Sequence, residues 1–138
     1  MTGAVWATMD GRPRHSMAEL AAADLPTAPG VYGLYRGVDR VYVGKAASLR
    51  DRVWKNHSGR GASMGSSALR RNVAEHLGIA SAADIKTRRY RPTEEDARRV
   101  REWLKGCDVA WIECADHQAA KDLERDMKAA HKPPLTRQ

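Results

Sequence analysis

The chain has 138 residues, a length typical of one domain, and 42% of its residues are hydrophobic while 30% are charged, as in globular proteins. It contains no apolar run long enough for a membrane span or a signal peptide, which favours an intracellular, cytoplasmic protein. The net charge of +7 favours a polyanionic partner such as nucleic acid, although a solvated basic surface without a partner would have the same composition.

The cysteines indicate neither a zinc site nor a disulfide. No set of cysteines and histidines has the spacing of a zinc site. Cys107 and Cys114 flank one short apolar run, and a strand there would hold the two sulfur atoms too far apart for a bond. We therefore expect two reduced, partly buried thiols.

The first part of the chain predicts a short strand and then a helix. Residues 4–8 (AVWAT) are compatible with a strand, although no clear period marks them. Ser16 and Glu19 form a capping-box pattern, which predicts an alanine-rich helix over residues 16–25. Prolines and a glycine follow and end that helix. We therefore expect a helical extension over residues 1–28.

Two short β-branched and aromatic runs predict a β-hairpin. Residues 31–35 and 40–44 have the composition of strands, and the turn-like residues 36–39 join them. Each strand carries a tyrosine–glycine element, Gly30-Val31-Tyr32 in the first and Tyr42-Val43-Gly44 in the second. The hairpin therefore places two phenols close together in the chain.

The rest of the chain predicts mostly helices around one further strand. Apolar spacing and caps favour helices at 46–57, 67–77, from Thr93 to near Gly106, and 117–130. Residues 109–114 predict a third strand. The glycine- and serine-rich residues 58–66 predict a mobile loop or lid, while residues 80–92 are compatible with either a basic loop or an edge strand.

Residues of the hairpin suit the hydrolysis of a phosphodiester, which needs an oriented, deprotonated water. Tyr32 and Tyr42 can be neighbours on one face because adjacent strands lie about 4.8 Å apart. A phenol has a pKa of about 10, and a nearby cation such as Lys45 would lower it. Half-buried packing is the alternative for a single strand tyrosine, but two tyrosines framed by glycines beside a lysine favour function.

The reaction also needs stabilisation of the extra negative charge of the transition state, and a proton or metal ion to neutralise the departing oxygen. Arg52 can bind two phosphate oxygens with its guanidinium, and His57 can relay a proton or contact phosphate. Glu124 lies at the edge of the apolar stripe of the last helix, where a carboxylate can border a cleft. One carboxylate with waters is a normal way to hold Mg²⁺, although the spacing alone also fits an ordinary boundary glutamate.

Taken together, these residues resemble those of the GIY-YIG nuclease superfamily, and most closely its excision-repair and small restriction-type branches. The similarity extends over about residues 29–136 and leaves the middle of the chain unmatched. The matching elements are Pro29, Gly30-Val31-Tyr32, Tyr42-Val43-Gly44, Lys45-Ala46, Leu49, Arg52, Leu123-Glu124 and Pro133.

The resemblance implies a mixed α/β (α+β) fold, a small central three-stranded antiparallel sheet flanked by helices. One nuclease domain is expected over residues 1–138, with its core at about 29–57 and 108–136. The inserted residues 58–107 are then a helical and basic region for substrate choice.

The resemblance also implies a metal-dependent endonuclease that uses Mg²⁺ or Mn²⁺. Tyr32 would act as general base or orient the water, and Tyr42 would assist at the scissile phosphate. Lys45 would lower a phenol pKa or bind phosphate, and Arg52 would stabilise the pentavalent state. Glu124 would bind the metal ion.

The chain departs from the family pattern at two positions. The family histidine or tyrosine usually follows the arginine by four residues, whereas His57 follows Arg52 by five. Thr136 replaces a late asparagine, and its hydroxyl is a weak substitute. Both residues nevertheless remain candidates, His57 for catalysis and Thr136 for substrate binding.

DNA is the expected partner, with RNA not excluded, and the chain is either a monomer or a homodimer. The candidate substrate-binding residues are Gly44, Arg70, Arg71, Lys86, Arg88, Arg89 and Thr136. Such basic residues would contact the backbone of the nucleic acid, which positions it without reading its sequence. The expected function is a DNA endonuclease of restriction, defence or mobile-element type. The alternatives are a non-catalytic nucleic-acid-binding module and a toxin-like ribonuclease on the same fold.

Overall fold

A four-stranded antiparallel sheet, in the order β1-β4-β2-β3, forms the centre of the computed structural model. Its strands are β1 (His15–Ser16), β2 (Gly30–Arg36), β3 (Asp39–Ala46) and β4 (Asp108–Glu113). The α+β class and the predicted hairpin are confirmed. The sheet has a fourth strand beyond the expected three because β1 pairs with β4.

The structure describes residues 2–57 and 67–137. The predicted loop or lid at 58–66 and the side chain of His57 lie outside the described residues. The α-helices are α1 (Thr2–Asp10), α2 (Ala68–His76), α3 (Ala82–Lys86), α4 (Glu94–Lys105) and α5 (His117–Ala130), with a π-helix at Arg50–His57 and a 3₁₀ turn at Ala22–Asp24. In these described residues, no helix has the length and apolar composition needed to cross a membrane.

Both N-terminal predictions are wrong. Residues 4–8 belong to helix α1, not to a strand. The expected helix over 16–25 is replaced by β1, a turn and a short 3₁₀ segment, because the chain here extends the sheet. The N–H of Met17 donates to the carbonyl oxygen of Cys107 at 2.9 Å, and the Ser16 hydroxyl accepts from Ala18 instead of capping a helix. Pairing with the sheet thus overrides the helix propensity of the alanines.

The helix starts predicted for the middle and the end of the chain are confirmed. Ser67, Thr93 and Asp116 are the N-caps of α2, α4 and α5, and each side chain accepts a hydrogen bond from a backbone N–H of its helix. The ambiguous residues 80–92 contain the short helix α3 followed by a turn. Both cysteines are free thiols, as expected.

The sheet has a hydrophobic cluster on each face, because successive strand residues point to opposite sides. One face carries Tyr32 and Tyr42 and packs against side chains of α2, α4 and the π-helix. The other face carries Val31 and Val43, with Trp6 of α1 and Met127 of α5 in the same cluster. The two faces meet at β3, the strand at the sheet edge, so side chains from both can approach one another there.

β3 is two residues longer at its C-terminal end than predicted, and the following helix begins later. Lys45 and Ala46 belong to the strand, and the π-helix starts only at Arg50, not at Ala46. Part of the exposed edge of β3 is covered by the C-terminal segment, where the Leu135 N–H donates to the carbonyl oxygen of Val41 at 3.0 Å. This cover reduces the edge available for pairing with another chain.

Candidate active site

The register of the β2–β3 hairpin brings the two predicted tyrosines together. Tyr32 lies opposite Gly44, and Leu34 lies opposite Tyr42, so the two phenols are diagonal neighbours on one face of the sheet. Their ring centroids are 6.1 Å apart, with 28° between the ring planes. Both residues are buried, with 2% and 3% of their surface exposed. The sequence-based expectation that these tyrosines are neighbours therefore agrees with the geometry.

Gly44 provides the space that the Tyr32 phenol occupies. A Cβ atom at position 44 would lie 2.5 Å from the Tyr32 hydroxyl oxygen and 2.6 Å from Cζ. It would also lie 3.0 Å from Cε2 of Tyr42. A glycine is required here because the ring of Tyr32 crosses directly over the backbone of β3.

One cleft gathers the predicted catalytic residues whose side chains are described. Its volume is about 130 Å³, and it opens where the edge of β3 meets α2 and α5. The lining residues are Tyr32, Tyr42, Gly44, Lys45, Arg52, Ala68 and Glu124. They come from five separate elements, and a small cleft that concentrates phenols, cations and a carboxylate is a candidate active site.

The electrostatic environment of Tyr32 differs from the expectation. Burial is the main cause that raises the pKa of this phenol well above 10, and the neighbouring Tyr42 raises it further. Arg52 is the cation that opposes this rise. At neutral pH the Tyr32 phenol is therefore protonated in this state and can donate a hydrogen bond.

Lys45 is not among the main causes that shift the pKa of Tyr32, and its influence on the Tyr42 phenol stays a prediction. Side chains alternate along β3, so Lys45 points away from the face that carries Tyr42 and Gly44. Its ammonium nitrogen instead lies 3.5 Å from Oε1 of Glu124. Arg52, not Lys45, is the positive charge that acts on Tyr32.

Glu124 lies on α5 and reaches the cleft with only 11% of its side chain exposed. Oε1 of this carboxylate also lies 3.4 Å from the ammonium nitrogen of Lys128, one helical turn further along α5. Lys128 is a residue of this site that the sequence pattern did not predict. Its spacing of four residues from Glu124 was the available signal, since residues four apart are neighbours on a helix.

The side chains of the cleft fit a divalent-ion site in which the protein supplies a single carboxylate. Across residues 2–57 and 67–137, no group of three or more His, Cys, Asp or Glu side chains could hold a metal ion, which excludes a cage built of these described side chains. A single carboxylate such as Glu124, with waters and substrate oxygens, is sufficient for Mg²⁺. Glu124 in a cleft of about 130 Å³ matches that arrangement.

Arg52 belongs to a π-helix, which bears on its unusual spacing from His57. A π-helix has hydrogen bonds between residues five apart, so positions 52 and 57 are separated by one such bonded turn. A spacing of five in this helix thus corresponds to a spacing of four in an α-helix. Short π-helical segments are frequent at functional sites.

Thr136 does not line the cleft. Its hydroxyl accepts a hydrogen bond from the backbone N–H of Val43 at 2.9 Å, and the residue is buried. The hydroxyl thus satisfies an edge N–H of β3 and attaches the C-terminal segment to the strand that carries Tyr42. This contact gives Thr136 a structural role, and its part in substrate binding stays a prediction.

The predicted substrate-binding arginines and lysine fall into two groups. Arg70 is only 4% exposed, and its pKa is lowered by burial and by Arg101, so it is not a surface contact for a nucleic acid. Arg71 and Lys86 instead line a second cleft of about 160 Å³. The other lining residues of this cleft are Ala68, Asn72, Ala82, Ala83 and Arg137.

The two clefts adjoin, because Ala68 lines both of them. Beyond the second cleft, Arg88 and Arg89 are exposed in the turn that follows α3. Arg88 has a φ of 64°, a left-handed conformation that is costly for a residue with a side chain. A basic surface therefore extends from the candidate active site along α2 and α3.

A comparison with protein-family models agrees with this geometry. Residues 31–138 match the model of the GIY-YIG catalytic domain. Neither the curated proteins nor the solved structures gave a significant match. The matched segment covers most of the chain and all the residues that line the candidate active site. The chain therefore belongs to the GIY-YIG nuclease superfamily.

Proposed function

We propose that this protein is a divalent-metal-dependent endonuclease that hydrolyses phosphodiester bonds in DNA. Membership of a nuclease superfamily implies a nucleic-acid substrate. The observation that carries the finer proposal is the cleft in which two phenols, Arg52, Lys45 and the Glu124 carboxylate converge. These groups correspond to the needs of phosphodiester hydrolysis, which are an oriented water, charge stabilisation and a partner for the leaving oxygen.

Each side chain of the cleft has a role that follows from its environment. Arg52 stabilises the extra negative charge of the transition state, since its guanidinium stays charged and can bind two phosphate oxygens. Tyr32, protonated because its pKa is raised, orients the attacking water through a hydrogen bond. This favours the orienting role over that of a general base. Tyr42 lies beside it and assists at the scissile phosphate.

Glu124 would hold the metal ion, for which Mg²⁺ and Mn²⁺ are the candidates. When bound, such an ion neutralises charge that develops on the leaving oxygen. The expected products have 3′-hydroxyl and 5′-phosphate ends. Lys45 contacts Glu124 and also lines the cleft, so it can reach a phosphate that enters there.

The adjoining basic clefts support a path for the substrate backbone. Arg71 and Lys86 contact phosphates next to the scissile one, because their cleft borders the active site at Ala68. Arg88 and Arg89 continue the path at the turn after α3. Such contacts bind the backbone of DNA of any sequence, and they make binding dependent on salt.

A cleavage assay with matched variants tests the proposal. Wild type, Glu124→Gln and Glu102→Gln are incubated with a long mixed-sequence duplex DNA and Mg²⁺ or Mn²⁺. Glu102 is exposed on α4, outside the lining of the cleft, and serves as the control for loss of one carboxylate. We expect wild type and Glu102→Gln to cut DNA, and Glu124→Gln to bind DNA without cutting it.

The same assay separates the alternatives. Single-stranded RNA and branched DNA are included beside duplex DNA. Cleavage of RNA alone would show a ribonuclease and refute the choice of DNA. DNA binding without cleavage of any substrate would show a non-catalytic binding module. The cut sites on the long DNA would also reveal whether the enzyme recognises a sequence, as a cytoplasmic restriction or defence nuclease would.

A further inference from the structure

The Glu124 carboxylate is contacted by two lysines from different elements. Lys45 of β3 and Lys128 of α5 have their ammonium nitrogens 3.5 Å and 3.4 Å from the same oxygen, Oε1. The side chain of Glu124 is 11% exposed, that of Lys128 is 24% exposed and that of Lys45 is 38% exposed, so solvent screens the Lys128 pair less than the Lys45 pair. Two positive charges therefore surround the one carboxylate that would hold a divalent ion.

This arrangement opposes metal binding in the free protein. A divalent ion binds a carboxylate oxygen at about 2.0 to 2.6 Å. At that distance from Oε1, the ion would lie within a few ångströms of both ammonium groups, and like charges at such separations repel strongly. Lys45 and Lys128 must therefore release Glu124 before this oxygen can coordinate an ion.

The two lysines differ in what else they can contact. Lys45 lines the active-site cleft, so a phosphate in the cleft offers its ammonium group a new partner. Lys128 is absent from the residues that line that cleft. A substrate can thus move Lys45 away from Glu124, whereas Lys128 competes with the ion whether or not a substrate is bound.

We propose that Lys45 and Lys128 hold Glu124 in the free protein against divalent cations, and that a phosphodiester releases Lys45 and so promotes metal binding. This inference rests on the proposed nuclease function. Lys128 sets the affinity of the site for the ion, and Lys45 couples the ion to the substrate. Because coupling between two ligands is reciprocal, the ion must raise the affinity for the phosphodiester by the same factor.

Mn²⁺ titration followed by electron paramagnetic resonance tests the role of Lys128 without any turnover. The variants are Lys128→Met, Lys128→Arg, Lys121→Met and Glu124→Gln. Lys121 is exposed, lies three residues before Glu124 on α5, and makes no ion pair within residues 2–57 and 67–137. It therefore controls for the loss of one positive charge from the same helix.

We expect Lys128→Met to bind Mn²⁺ about tenfold more tightly than wild type, within the usual range of such couplings. Lys128→Arg should keep the weak affinity because it keeps the charge, and Glu124→Gln should abolish binding. Equal Mn²⁺ affinities for Lys128→Met and Lys121→Met would overturn the role of Lys128. Circular dichroism confirms that each variant is folded, and a misfolded Lys128→Met leaves Lys128→Ala to decide the same comparison.

The coupling is measured by repeating the titration with a short phosphorothioate DNA duplex, which keeps the backbone charge and resists cleavage. Wild type and Lys128→Met should both bind Mn²⁺ more tightly when the duplex is present. Lys45→Met should bind Mn²⁺ more tightly than wild type without the duplex and should gain less from it, because only the phosphate oxygens then add to the affinity. A gain in Lys45→Met as large as that in wild type would refute the coupling role of Lys45.

These results are separable from those of the cleavage assay. Tighter Mn²⁺ binding by Lys128→Met in a protein that cuts no nucleic acid would support the competition and refute the nuclease proposal. Cleavage that depends on Glu124, with unchanged Mn²⁺ affinity in Lys128→Met, would support the nuclease and refute the competition.

Discussion

Replacing Gly44 by alanine should disrupt the active site at its narrowest point. The added methyl carbon would lie 2.5 Å from the Tyr32 hydroxyl oxygen, 2.6 Å from Cζ and 3.0 Å from Cε2 of Tyr42. The backbone at position 44 is paired with β2, so the rings have to move instead. Both phenols are buried, and the space beside them is the active-site cleft that they line, so a ring that moves disturbs the arrangement of the catalytic groups.

The expected size of the effect follows from overpacking in a buried region. Inserting a methyl group of this kind lowers the free energy of unfolding by about 1 to 3 kcal/mol. For a domain of this length, that corresponds to a decrease in melting temperature of roughly 4 to 10 °C. A displacement of a positioned group by about 1 Å can reduce a rate by about a hundredfold. We therefore expect Gly44→Ala to fold with reduced stability and to lose nearly all cleavage activity.

Gly37→Ala is the matched control for this experiment. Gly37 has a φ of 60°, and a Cβ atom there would meet nothing within 4 Å. Alanine at this position costs about 1 to 2 kcal/mol of backbone strain but contacts no residue of the cleft. Melting temperatures come from calorimetry, and cleavage rates are measured well below them. The reasoning is refuted if Gly44→Ala cuts at the wild-type rate, or if Gly37→Ala loses as much activity.

Three further predictions concern residues outside the catalytic centre. Arg88→Gly should raise stability by about 1 kcal/mol, because glycine relieves the left-handed conformation, and should also weaken DNA binding. Arg89→Gly should weaken DNA binding without raising stability. Each change should reduce the slope of the logarithm of the binding constant against the logarithm of the salt concentration by about one. Thr136→Val should cost about 1 to 3 kcal/mol in urea unfolding, since it leaves a buried backbone N–H unsatisfied, whereas Thr136→Ser should retain most of the stability. Asp10 has its pKa lowered chiefly by its hydrogen bond to Arg40, so its contribution to stability is present above its unfolded pKa of about 3.9 and is lost as the pH falls through the lower folded value. In Asp10→Asn the free energy of unfolding should therefore decrease less steeply below about pH 4 than in wild type. An equal decrease in the two proteins would contradict this assignment.

The hairpin and the helix starts could be predicted because their causes are local. The turn residues, the β-branched runs and the N-caps Ser67, Thr93 and Asp116 each act over a few positions. The residue types of the site were also readable, since Tyr32, Tyr42, Arg52 and Glu124 all line one cleft. The hairpin and the helix starts depended on local spacing, whereas Glu124 was assigned to the site by the resemblance to the family.

The N-terminal segment shows where local reasoning fails. The alanines after Ser16 favour a helix, but Ser16 belongs to β1, which pairs with β4 more than 90 positions later, and the alanines lie in the turn and 3₁₀ segment that follow. Hydrogen bonds to a distant strand outweigh a helix propensity of a few tenths of a kcal/mol per residue. The Thr136 hydroxyl was likewise assigned to the substrate, although it bonds to Val43 in the folded chain.

The amino-acid sequence by itself determined the chemical groups of this site and the family to which the chain belongs. Only the tertiary structure decided how those groups are paired. The ammonium group of Lys45 lies beside Glu124, because a strand that is longer than expected turns its side chain to the face opposite Tyr42. Burial keeps Tyr32 protonated, and Lys128 shares the Glu124 oxygen. Partners and burial depend on contacts between elements distant in the chain, which local spacing does not specify.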